Sequence, residues 1–75
     1  MYDSGIESLY RKIGQKIVAE RKRKGISQEK LAADTGIDRS HIGYIEQNRR
    51  KPTLATLYKI CRGLDIRLSD LIKGF

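Results

Sequence analysis

Three residues, Gly36-Ile37-Asp38, are all that separate two segments with helical apolar periodicity, and nothing else in the chain limits its fold so tightly. Before them, Ser27 suits the N-cap of a helix running to about Thr35. After them, Asp38 suits the N-cap of a helix running from Arg39 to about Gln47. A connector this short forces an abrupt bend between the two helices. Gly36 suits the bend because glycine adopts a positive φ without steric cost. Ala32 falls where the helices cross, and a larger side chain there would hold them apart. Leu31, Thr35, Ile37, Ile42 and Ile45 occupy the inward positions. Each sign is weak alone, but at this combined spacing they describe a helix-turn-helix rather than an ordinary packing hairpin.

The rest of the chain also reads as helix. Ser4-Gly5-Ile6-Glu7 has the spacing of a capping box, and Ile6, Leu9, Ile13 and Ile17 continue as one apolar stripe. Gly14 within that stripe marks either close helix packing or the joint between a frayed extension and the stable helix; residues 1–5 are expected to fray. The basic turn Arg21–Lys24 leads into Gly25, which ends the helix in the left-handed region. A fourth helix is capped by Thr53, behind Pro52, and carries Leu54, Leu57, Cys61 and Leu64 on one face. A short fifth follows Ser69 and carries Leu71, Ile72 and Phe75. No period-2 run is long enough for a strand. The expected fold is therefore all-α, a compact five-helix bundle with a central helix-turn-helix, forming one domain over residues 1–75.

Charge narrows the partners. Lys and Arg number 16 against 9 Asp and Glu, a net +7 at pH 7. Residues 21–30 sum to +4 and Arg49-Arg50-Lys51 adds +3, while residues 31–48 sum to −2. Two basic clusters thus flank a near-neutral centre, which suits an anionic partner, although basic residues also belong at helix ends. No apolar run approaches the ~20 residues of a membrane span and no leader opens the chain, so a cytoplasmic protein without a membrane partner is expected. The single Cys61 excludes an internal disulfide and a zinc site built on several thiolates; on its apolar stripe it reads as a small hydrophobe. His41 has no second histidine or nearby thiol. No triad, phosphate loop or suitably spaced carboxylate pair is present, so no enzyme activity, metal, cofactor or small-molecule ligand is expected.

The run Arg21-x-x-x-Gly25-Ile26-Ser27-Gln28-Glu29-x-Leu31-Ala32, then Gly36, Ile45-Glu46, Pro52-Thr53-Leu54 and Leu57, resembles the Xre/Cro family of phage-repressor-type regulators over about residues 12–73. Asp38-Arg39-Ser40-His41-Ile42 resembles, within that family, the controller proteins of restriction–modification systems. The resemblance implies a bundle of phage-repressor type and a protein that binds double-stranded DNA through the major groove. It also implies a partly buried ion pair between Arg21 and Glu46 that ties the first helix to the third, and a backbone contact by Gln28.

With Ile42 and Ile45 inward, about 100° per residue places Ser40, Gly43, Tyr44 and Gln47 on the opposite arc, with Arg39 projecting from the first turn. Base contacts are expected from Arg39, which can donate twice to guanine, from Ser40 and Tyr44, and from Gly43 by close backbone approach. Phosphate contacts are expected from Gln28 at a helix start and from Gln47, Asn48, Arg49, Arg50 and Lys51 after the recognition helix. Arg23 and Lys24 read equally as phosphate contacts or as a solvated helix end.

Leu64, Ile66, Leu68, Leu71, Ile72 and Phe75 crowd the last twelve residues, more than so short a helix can bury alone. Residues 64–75 are therefore the expected contact of a homodimer, which would present two reading helices to a two-fold symmetric operator. The alternative is an antitoxin-like protein-interaction module that also regulates its own operon, with residues 1–10 as the segment available to cover a partner.

Overall fold

Apolar residues at intervals of three and four resolve into five helices among residues 4–74, the part described by the computed structural model. They are α1 (Ser4–Arg23), α2 (Gln28–Thr35), α3 (Arg39–Glu46), α4 (Leu54–Leu64) and α5 (Leu68–Leu71). Ser4 and Gly5 are already helical; residues 1–3, Phe75 and the capping contact expected of the Ser4 side chain lie outside the described residues. No helix among those residues is long and apolar enough to cross a membrane.

Ile13 and Ile17 of α1, Leu31 of α2, Ile42 and Ile45 of α3, Leu57, Ile60, Cys61 and Leu64 of α4, and Leu71 of α5 form one buried core. α2 packs on α3 and α4, and α1 packs on α3 and α5. α1 spans roughly 30 Å at 1.5 Å per residue, and its first turns extend past the core. Ile6 is accordingly exposed and Leu9 only half-buried. Gly14 is a point of close packing: a Cβ there would stand 2.7 Å from the Ile45 carbonyl oxygen, so only glycine lets α1 approach the last turn of α3.

Helix ends explain the turns. Ser27 and Thr53 accept hydrogen bonds from the Lys30 and Thr56 amides, as N-caps should. Gly36 closes α2 with φ 76° and its amide on Ala32, while the Thr35 hydroxyl donates to the Leu31 carbonyl and accepts from the Ile37 amide. Three other ends share one chemistry. Gly25, Asn48 and Asp65 take positive φ, and the amide following each reaches back to Arg21, Tyr44 and Cys61. Neither Asn48 nor Asp65 announces this in the sequence as a glycine does.

Four expectations need correction. Asp38 precedes α3 without a side-chain capping bond. α5 begins at Leu68 rather than after Ser69, with the Arg67 amide donating to the Asp70 carboxylate at 3.2 Å. Leu54 is 68% exposed, since a first-turn side chain leans toward the helix N-terminus and past the core edge, and Ile60 takes its place inside. Leu64 and Leu71 lie fully within the core of the single chain, so neither offers surface to a second copy. Ile66 and Leu68 pack partly against that core, and Ile72 is 42% exposed.

Candidate nucleic-acid interface

α3 lies across the bundle with Ile42 and Ile45 buried beneath it, which turns Arg39, Ser40, Tyr44 and Gln47 to solvent. Its C-terminal end is held by a closely satisfied cluster. Arg21 Nε and Nη2 donate to the two carboxylate oxygens of Glu46 at 2.7 and 3.1 Å, and Nη1 donates to the Ile26 carbonyl at 3.0 Å. Glu46 also accepts from Gln28 Nε2 at 2.9 Å. The side chains of Arg21 and Glu46 are only 12% and 4% exposed. The hydrogen bond to Glu46 raises the Arg21 pKa above its ordinary value, so the guanidinium keeps its charge. This cluster fixes how α3 sits relative to α1 and α2.

The N-terminal end is held far more lightly. Arg39 Nε donates to Glu29 at 3.1 Å across the turn, with both side chains largely in solvent. The Glu29 carboxyl titrates below the usual range, first because it accepts from its own backbone amide and then because of Arg39.

Beyond α3, Asn48 turns the chain and Gln47, Asn48, Arg49, Arg50 and Lys51 are all exposed. Arg50 stands over the Tyr44 ring, its guanidinium carbon 5.9 Å from the centroid, so loop and helix share one cationic, aromatic surface. Lys51 pairs with Glu7 of α1 at 3.0 Å. Asp38, Ser40, His41, Tyr44 and Arg50 line a shallow depression on this face.

Several predicted contributors sit elsewhere. Gly43 is buried rather than presented: Gln28 reaches over it toward Glu46, and a Cβ at Gly43 would lie 3.9 Å from Gln28 Nε2. Gln28 thus gives its side-chain amide to Glu46. Arg23 pairs with Glu20, and Lys24 donates to the Leu64 and Asp65 carbonyls, so the first basic cluster closes helix ends. The Lys24 bond, the Arg39–Glu29 pair and the Lys51–Glu7 pair join distant segments and had no local signal. Cys61 is buried, which raises its thiol pKa, and no group of residues able to hold a metal occurs among the described residues.

Residues 17–71 match the helix-turn-helix family. The HTH-type transcriptional regulator SutR of Escherichia coli strain K12 is 37% identical over 67 residues; the match takes in 89% of this chain but only 38% of that longer protein. The crystal structure of the restriction-modification controller protein C.AhdI from Aeromonas hydrophila is similar with a TM-score of 0.80 at 39% identity, covering 83% of this chain and 94% of that one. The controller protein C.Esp1396I, solved as a tetramer in complex with its natural 35-base-pair operator, gives a TM-score of 0.79 at 35% identity, covering 84% and 83%. The chain belongs to the helix-turn-helix family that includes these transcriptional regulators and restriction–modification controllers.

Proposed function

We propose that the chain is a sequence-specific regulator of transcription of the restriction–modification controller type, binding a two-fold symmetric DNA operator as a homodimer in the cytoplasm. One observation carries this reading: α3 is pinned by Arg21–Glu46 on its inner side while Arg39, Ser40, Tyr44 and Gln47 are exposed on its outer side, beside exposed Arg49 and Arg50. Side chains on a fixed helix can meet base edges in the major groove, and the basic loop can meet the flanking phosphates. The similarity to regulators and controllers favours this over the antitoxin-like module.

Selection of bound duplexes from a random pool tests the reading. Enrichment of a palindrome with half-sites about 34 Å apart is the expected result. Failure to enrich any sequence would overturn it.

Dimer contact in this reading falls to Ile72, with half-buried Ile66 and Leu68 beside it. Ile72→Asp should lower the mass seen by light scattering to one chain and sharply weaken binding to the palindrome, because one half-site loses its linked partner. An Ile72→Asp protein that stays dimeric and fully active would exclude this surface.

A further inference from the structure

The first three turns of α1 lie upstream of the family match, yet they run beside the loop that leaves the recognition helix. Glu7, Arg11, Gly14, Val18 and Arg21 recur at intervals of four, three, four and three, so they share one stripe of the helix. Three members of that stripe have fixed neighbours. Arg21 meets Glu46, Gly14 abuts the carbonyls of Ile45 and Glu46, and Glu7 meets Lys51. Arg11 is bracketed by the last two, so it stands opposite the stretch between Glu46 and Lys51, which contains Arg49 and Arg50. It is exposed.

We propose that Arg11 is a further phosphate-contacting residue, extending the cationic surface of the loop onto α1 and reaching the DNA backbone that flanks each half-site. This rests on the reading of the chain as a DNA-binding regulator. Arg50 ties the loop to the reading face through Tyr44, and Glu7–Lys51 ties the same loop to α1. The loop therefore makes a continuous surface from the reading face to α1. Arg11, Arg49 and Arg50 gather three cations along this border, and a polyanion is the partner that such a grouping suits. A contact of this kind positions without reading sequence.

The test measures fluorescence anisotropy of a selected duplex and a scrambled duplex of equal length over a salt series, for the unaltered protein, Arg11→Ala and Arg11→Lys. Arg11→Ala should weaken both duplexes alike and make the log K against log salt slope shallower by about 0.9 per chain bound. Arg11→Lys should retain the original slope, since a point charge suffices. Phosphate ethylation should then interfere at one flanking position with the unaltered protein and not with Arg11→Ala. An Arg11→Ala slope equal to that of the unaltered protein overturns the proposal, as does weaker binding that comes with a lowered melting temperature. An unaltered protein that binds neither duplex would instead overturn the functional reading beneath it.

Discussion

The two ends of α3 are each held by one arginine–carboxylate pair, and the pairs are built to opposite purposes. At the C-terminal end, Arg21 and Glu46 meet through two parallel bonds almost out of reach of water, with Gln28 donating to Glu46 and the Ile26 carbonyl accepting from Arg21. At the N-terminal end, Arg39 and Glu29 meet through one bond, with side chains 53% and 70% exposed. A buried pair is costly to break because each partner left behind is an uncompensated charge away from water. An exposed pair contributes little, and water or another anion replaces either partner easily. The inner end is thus a fixed pivot, and the outer end carries an arginine that can change partners. A reading helix needs both.

The largest expected effect lies at the pivot. Glu46→Ala leaves the Arg21 guanidinium without its carboxylate and the Gln28 amide without its acceptor. The loss should be about 2–4 kcal/mol, somewhat below the ~3–5 kcal/mol for breaking a wholly buried pair. For a domain of this size that lowers the melting temperature by more than about 10 °C, followed by circular dichroism. Glu29→Ala should barely move it. Equal shifts in the two variants would erase the distinction between the two ends.

Next in size is Arg39→Ala, read on DNA rather than on stability. Loss of a bidentate base contact should cost about 1–3 kcal/mol per half-site on the selected duplex. Binding to scrambled duplex should fall much less, and melting should stay nearly unchanged. Equal losses on both duplexes would make Arg39 a backbone contact and move sequence reading to Ser40 and Tyr44.

The contrast between the two ends was only half legible in the chain. The turn at Gly36, the inward positions of α2 and α3 and the caps at Ser27 and Thr53 are local, set by residues within one helical turn of each other, and periodicity finds them. The Arg21–Glu46 pair came only through resemblance, since the partners lie 25 residues apart. Arg39–Glu29 is not legible in the sequence because a helical wheel orients α3 alone and says nothing of what α2 presents across the turn. The same blindness put Gly43 on the outer arc, where a long side chain from α2 covers it. It also makes Leu64 and Leu71 look available to a dimer contact, because counting apolar residues in a short segment ignores how much of α1 and α4 folds back over them.

The smallest expected effect belongs to Glu29 itself. Its carboxyl titrates below the usual range of about 4.3, so it is charged in both folded and unfolded chains at neutral pH. Whatever stability it adds is therefore complete above that ordinary value. It fades as pH falls through the lower, folded-state value. Melting curves of the unaltered protein and Glu29→Gln should accordingly lie close together at neutral pH and merge in acid. If Arg39 reads a base, the same carboxylate competes for it on DNA, because the arginine must leave Glu29 first. Glu29→Gln should thus tighten binding slightly, but removing any acidic residue near a polyanion does so by relieving general repulsion. The two causes separate in a double-mutant cycle. If competition for Arg39 is responsible, the gain on the selected duplex disappears in an Arg39→Ala background. If the gain persists there undiminished, Glu29 acts only through its charge, and Arg39 is as free to read DNA with its neighbour as without it.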